Sequence, residues 1–222
     1  MLREESIEAQ PIVDATLVAL LAWAPTRGLD GANLRQAINA LRAGALALLQ
    51  ADAIGEPLAE CFDLAVTTGI NLPQVERVRQ IADASTPLTV GAQMIKDSLI
   101  QLALVTEARL IITMTFVSRT DVENVRAMIN VSFAAEAEMM ADKMDAMTYR
   151  AVVALHAAIS FFLVQTARPL PQMLSYRFSL PMSTLGIAQR LYYDSTRCDE
   201  IRAENNIVHP LFSPRLGRAL SS

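Results

Sequence analysis

Apolar residues recur at helical spacing through the first two thirds of the chain. Leu34, Ile38, Leu41 and Ala45 share one helical face, and polar residues occupy many of the positions between them. This spacing is typical of amphipathic helices that bury one face. We expect helices from about residue 6 to residue 167, separated by loops such as residues 26–33. Short connections between such helices favour a bundle of about six helices.

Residues with strong preferences for helix ends predict two of the helix starts. Thr86 followed by Pro87 predicts a hydroxyl cap and a proline in the first turn of a helix that could run to Val117. Thr120 and Glu123 have the spacing of a capping box, in which two side chains satisfy free backbone N–H groups. These signals predict two long helices in the second half of the bundle.

The hydrophobic pattern changes from helical to alternating after about residue 170. Alternating apolar side chains over residues 174–178 predict a strand. Side chains at 183–184 and at 194–195 are N-cap candidates for two short helices. Residues 207–216 are expected to be extended or to form turns. We therefore predict a mainly α-helical protein with a bundle over 1–170 and a small α+β domain over 171–222, which leans on the bundle or on a partner.

Composition limits the classes of protein to which this chain can belong. Hydrophobic residues make up 52% of the 222 residues, so the chain can bury a large core. A formal net charge of −4 gives no general electrostatic reason to bind nucleic acid. Acidic residues near the start argue against a signal peptide, and the distant Cys61 and Cys198 predict free thiols in a reducing compartment.

Two apolar stretches resemble membrane spans, but each has features that favour burial in protein. Residues 99–117 contain Glu107 and Arg109, and residues 151–167 are shorter than the roughly 20 residues that cross a bilayer. We expect both stretches to be buried helices in a larger assembly. No membrane span is predicted.

The side chains most often used in catalysis and metal binding do not form a recognisable motif. His156 and His209 have no carboxylate at metal-ligand spacing, and no phosphate-binding glycine loop or nucleophile elbow occurs. The carboxylates between Glu136 and Asp145 alternate with Lys143 and predict a solvated helix face. We therefore expect no enzymatic activity, no metal and no cofactor.

Arginine and aromatic residues concentrate in the last 50 residues. Such residues are enriched where proteins bind one another, and they also bind single-stranded nucleic acid or glycans. Acidic residues between them reduce the positive charge, which favours a protein partner. The candidate interface residues are Tyr176, Phe178, Arg190, Tyr192, Tyr193, Arg197, Arg202, His209 and Phe212.

Residues 115–213 resemble the C-terminal part of the Mu-like phage DNA circulation protein family, whose members are also described as tail or baseplate proteins. The most specific segment is "RLYYDSTRCDEIRAENNIVHPLF", residues 190–212. The segment "SRTDVENVR" also fits the family pattern. The tail is further similar to a LysM fold, a strand–helix–helix–strand module. In that comparison Tyr176 lies in the first strand, and Ile207 and Pro210 follow the second helix.

The resemblance implies a structural protein of the virion, made in the host cytoplasm and present in several symmetric copies in the baseplate of a contractile tail. It would act as an adaptor that links the central hub or tube to wedge or sheath proteins. Two alternatives remain open at this point. One is a protein that binds DNA ends and helps circularise phage DNA; the other is a peptidoglycan-binding module at the tail tip.

Overall fold

The computed structural model of the protein describes residues 1–221, and it is mainly helical with one small antiparallel sheet near the C-terminus. Within this range, seven α-helices precede the first strand, which agrees with the predicted helical bundle. They are α1 (Arg3–Ala22), α2 (Leu29–Gln50), α3 (Gly55–Thr67), α4 (Leu72–Asp83), α5 (Val90–Thr113), α6 (Arg119–Asp142) and α7 (Ala146–Ala167).

The C-terminal segment contains two strands with two short helices between them. The elements are β1 (Met173–Arg177), α8 (Thr184–Tyr192), a 3-10 turn (Ser195–Arg197), α9 (Cys198–Glu204) and β2 (Leu216–Leu220). β1 pairs with β2 in antiparallel register, with Met173 opposite Leu220 and Arg177 opposite Leu216. We call β1 to β2 the C-terminal module.

An irregular segment separates α9 from the second strand. Residues 207–215 form turns and irregular backbone, and β2 begins only at Leu216. Pro210 and Pro214 lie in that stretch and have no N–H to donate to a sheet. The prediction of an extended or turn segment over residues 207–216 is therefore confirmed over most of its length.

The chain divides into two compact units. The first unit contains Met1–Met114 and Ser132–Leu155, and the second contains Thr115–Val131 and the chain from His156 onward. Helices α6 and α7 therefore contribute residues to both units. The predicted domain boundary at residue 170 stays a prediction.

The core of the first unit surrounds α5. Helix α1 packs against α2, α4 and α5, and α3 packs against α2 and α5. Large side chains such as Leu34, Phe62 and Leu104 are fully buried at these contacts. Helix α5 buries residues on several of its sides, which explains why its sequence is apolar around most of its circumference.

Helix α5 starts later than predicted because a side chain of α1 binds the backbone just before it. The N-cap is Thr89 rather than Thr86, and its hydroxyl oxygen accepts a hydrogen bond from the Ala92 N–H at 3.4 Å. The Glu8 carboxylate of α1 accepts the N–H groups of Leu88 at 2.6 Å and Thr89 at 2.9 Å. These bonds lower the pKa of Glu8 and keep residues 88–89 out of the helix.

Two other predicted helix starts also move. The capping box of α6 consists of Ser118 and Asp121, whose side chains each accept the other's backbone N–H at 3.2 and 3.0 Å, so the Thr120–Glu123 prediction is wrong. Residues 29–33 belong to α2 and not to a loop. The preceding Gly28 has a φ of 94°, a conformation that glycine adopts without strain.

Helix α7 is 22 residues long and has a largely exposed apolar surface. Among the described residues it is the one helix that could cross a membrane by length and composition, and 17% of its most apolar window is buried. The helix begins at Ala146, five residues before the apolar stretch of residues 151–167 considered in the sequence. The prediction that no segment spans a membrane stays a prediction.

Candidate functional site

The C-terminal module has a small core of its own. Its buried side chains come from both strands, both helices and the segment after α9: Tyr176, Ile187, Ala188, Ile201, Ile207 and Ala219. Phe178, Leu191 and Tyr192 pack against this cluster while remaining partly exposed. A core of this size buries little apolar area, so polar contacts that fix the backbone matter more here than in the helical bundle.

Caps at the predicted positions begin α8 and the 3-10 turn that leads into α9, whereas α9 itself begins at Cys198 without a side-chain cap. Ser183 begins α8, since its hydroxyl oxygen accepts the Gly186 N–H at 3.2 Å, and Asp194 accepts the Thr196 N–H at 2.9 Å. Helix α8 ends at Tyr193, which has a left-handed φ of 58°. This sharp end leaves the Tyr193 side chain 87% exposed.

Asn205 joins the end of α9 to β2. Its amide nitrogen donates to the carbonyls of Ile201 at 2.8 Å and Arg218 at 2.7 Å, and its amide oxygen accepts the Arg218 N–H at 2.7 Å. A side chain at Gly217 would collide with the Tyr176 hydroxyl and the Asn205 amide. The module therefore requires glycine at this point of β2.

Several predicted interface residues hold the module together. Tyr176 is 6% exposed, and burial raises the pKa of its hydroxyl. The guanidinium of Arg190 lies 6.0 Å from the centre of the Phe178 ring. Tyr176 therefore belongs to the core of the module, and Arg190 lies over the partly buried Phe178 that follows β1, so these residues have a structural role whether or not a partner binds them.

Tyr192 and Arg197 form a second such cluster with Glu200. The Arg197 guanidinium lies 3.7 Å from the centre of the Tyr192 ring and donates two hydrogen bonds to Glu200, at 2.7 and 3.0 Å. The Tyr192 hydroxyl donates to Glu200 at 3.0 Å. Burial and this bond raise the pKa of Tyr192 to about 12, so the hydroxyl is protonated at neutral pH.

The remaining predicted interface residues lie near the surface of the module. Arg202 donates from Nε to the Ile207 carbonyl at 3.2 Å and closes the turn after α9. The rings of His209 and Phe212 are 5.3 Å apart, and Phe212 is 75% exposed. Together with Tyr193, these two rings are the aromatic side chains of the module that are free to meet a partner.

The sequence analysis missed an arginine-lined pocket at the end of the sheet where β1 ends and β2 begins. It has a volume of about 490 Å³ and is lined by Arg177, Phe178, Ser179, Arg215 and Leu216. Arg177 and Arg215 are distant in the chain and meet because the Phe178 N–H donates to the Arg215 carbonyl at 2.8 Å. The excess of arginine in the tail was a signal for this pocket, but only the pairing of the strands brings the two residues together.

Buried carboxylates in the first unit contradict part of the expected solvated face. Glu136 is 2% exposed, and its carboxylate accepts the Gln101 amide at 3.1 Å. Burial raises its pKa. Glu138, Asp142 and Asp145 are exposed as expected. Helical periodicity places Glu136 on the inner face, four residues before the buried Met140.

A second buried carboxylate belongs to Glu107, which the sequence analysis used only as an argument against a membrane span. It is fully buried, and its Oε1 lies 3.3 Å from Nε of Arg79. Burial raises the pKa of Glu107 to about 7, although Arg79 opposes the shift. Within residues 1–221, no group of three or more His, Cys, Asp or Glu side chains could hold a metal ion.

Comparison with protein-family models and with curated proteins gave no match to this chain. The candidate site therefore depends on the geometry of the C-terminal module and on the resemblance found in the sequence.

Proposed function

We propose that this protein is a non-enzymatic structural component of a contractile phage tail baseplate, where it links the central hub or tube to wedge or sheath proteins. The observation that carries the proposal is the order of elements in the C-terminal module: strand, helix, helix, strand, with the two strands paired. That order is the one expected of a LysM-like fold. The first strand and both helices of the module lie in the chain segment that resembles the phage family, residues 115–213.

Exposed apolar side chains on the module support a role in binding other proteins. Tyr193, Val208 and Phe212 are each at least 75% exposed. Exposed aromatic side chains are enriched at protein–protein interfaces. The exposed apolar surface of α7 offers further area for neighbouring subunits. Several symmetric copies in the virion would cover such surfaces.

The test is assembly of tails by variants of the full chain. In a phage that lacks its own copy of the gene, the double variant Tyr193→Asn with Phe212→Ser should give few complete tails. Both side chains are exposed, and Asn tolerates the left-handed backbone at 193, so folding should be preserved.

The matched control replaces an exposed apolar residue of the first unit. Met144 is 90% exposed and also has a left-handed φ, so Met144→Asn should assemble tails as the unchanged chain does. Normal numbers of complete tails with the Tyr193→Asn, Phe212→Ser variant would refute docking through these two side chains.

A further inference from the structure

The arginine-lined pocket presents two unneutralised cations. Arg177 ends β1, Arg215 directly precedes β2, and both side chains are exposed. Among the ion pairs of residues 1–221, neither arginine has a carboxylate within 4 Å, whereas Arg197 in the same module is paired with Glu200. Phe178 and Leu216 supply an apolar wall beside the two guanidinium groups. A pocket of this kind favours a carboxylate-bearing surface as its ligand.

The two compact units carry opposite charge. The first unit contains 17 acidic and 10 basic side chains, for a formal net charge of −7. The second contains 6 acidic and 9 basic side chains, for a formal net charge of +3. A chain with this division attracts a second copy of itself when the basic unit of one faces the acidic unit of the other.

Helix α3 carries two exposed carboxylates, the kind of ligand that arginine side chains bind. Glu56 and Glu60 are exposed, are one helical turn apart and make no ion pair within the described part of the chain. Residues at this spacing have Cβ atoms about 6 Å apart on one helix face. Glu60 also lines a groove of about 530 Å³ between α2 and α3, next to Pro57. Phe178 and Leu216, which lie beside the arginines, could pack into this groove of a second copy.

We propose that the pocket of Arg177 and Arg215 in one copy binds Glu56 and Glu60 of a second copy, so that copies associate head to tail. Such a contact uses different surfaces on the two partners. An open oligomer then has one free pocket at one end and one free acidic pair at the other. The association therefore either closes into a ring or continues as a filament. The inference uses the same module as the proposed function but is tested on the purified chain alone. Its failure would leave the function in the tail open.

The experiment measures the mass of the full chain by sedimentation at low and high salt. The unchanged chain should associate at low salt and dissociate at high salt, because screening weakens contacts between exposed charges. Reversing the pocket with Arg177→Glu and Arg215→Glu should weaken association by on the order of tenfold or more, since like charges then face each other. Reversing the acidic pair with Glu56→Arg and Glu60→Arg should do the same.

The decisive measurement mixes the variant with reversed pocket charges and the variant with reversed charges on α3. Each variant should stay monomeric alone, whereas the mixture should associate, because every pocket then faces a surface of opposite charge. This rescue also shows that both variants are folded. A mixture that remains monomeric while circular dichroism shows both proteins to be folded would overturn the proposal.

A matched control separates the assigned contact from net charge. Glu138 and Asp142 are also exposed, unpaired among the ion pairs of residues 1–221, and four residues apart on α6. The variant Glu138→Arg with Asp142→Arg changes the net charge by the same amount as Glu56→Arg with Glu60→Arg. It should associate as the unchanged chain does. Equal loss of association in this control, or an unchanged chain that stays monomeric at low salt, would overturn the proposal.

Discussion

Glu107 gives the protein a predictable dependence of stability on pH. The side chain is fully buried on α5, and its Oε2 has no hydrogen-bond partner among residues 1–221. The charged groups near it are Arg79, which pairs with Oε1, and Glu76. Replacing Glu107 with Gln keeps the shape and removes the ionisation, so the pH dependence due to this one carboxyl disappears.

The size of the effect follows from the shift in pKa. Burial raises the pKa of Glu107 from 4.5 to about 7, and at about 1.4 kcal/mol per pKa unit this corresponds to about 3 kcal/mol. Between these two pKa values the folded carboxyl holds a proton that the unfolded chain has lost. The free energy of unfolding therefore falls as pH rises from 4.5 to about 7 and changes little above that.

Urea unfolding followed by circular dichroism, at pH 5 to 8, measures the effect. Near pH 5 the Glu107→Gln variant should be close to the unchanged protein in stability. At pH 8 it should be more stable by about 2–3 kcal/mol, because the unchanged protein must ionise a buried carboxyl or keep its proton. The control Glu138→Gln replaces an exposed carboxyl and should show no such trend. A constant difference between Glu107→Gln and the unchanged protein from pH 5 to 8 would contradict the assigned burial.

Three further predictions test the caps, the module and the thiols. Ser118→Ala should lower stability by about 1 kcal/mol in urea unfolding, whereas Thr120→Ala should not, because Ser118 caps α6. Gly217→Ala should loosen the C-terminal module and expose it to limited proteolysis, since a Cβ there collides with buried neighbours. The Cys61 thiol is buried, and its pKa is raised to about 11, so in the native protein iodoacetamide should label Cys198 well before it. Equal labelling rates would show that Cys61 is accessible.

Helix existence could be predicted from local periodicity, but several helix starts could not. Thr86 and Thr89 are equally good caps as isolated residues, and the choice depends on Glu8, a residue of α1. The capping box of α6 uses Ser118 and Asp121, two residues earlier than predicted. The cap of α5 is selected by a contact distant in the chain and leaves no signal in the neighbouring sequence, whereas the Ser118–Asp121 pair is local and could be predicted from its spacing.

The polar interior of the first unit was also hidden from the sequence. Helical spacing sets Glu136 off the face of Glu138 and Asp142, but the neighbouring sequence does not identify Gln101 as its partner. A carboxylate in an apolar helix is expected to be exposed to solvent, because its burial costs free energy. A hydrogen-bond or ion-pair partner on another helix reduces that cost. The partners of Glu107 and Glu136 come from α4 and α5 and could not be paired without the packed structure.

The candidate site was partly accessible to sequence reasoning. Local pattern predicted the strand and the caps at Ser183 and Asp194. The concentration of aromatic residues in the last 50 residues was also visible in the sequence. The arginine pocket did not, because it depends on the antiparallel register that sets Arg177 opposite Leu216. The predicted interface residues stay a prediction, and the pocket adds Arg177 and Arg215 to them.

Cryo-electron microscopy of whole virions, with the density of this protein traced, tests the proposed function most directly. We predict a ring of copies in the baseplate, between the central hub and the wedges, with the C-terminal module in contact with another component. Density for this protein that is absent from the tail, or that lies against the packaged DNA, would contradict a structural role in the baseplate.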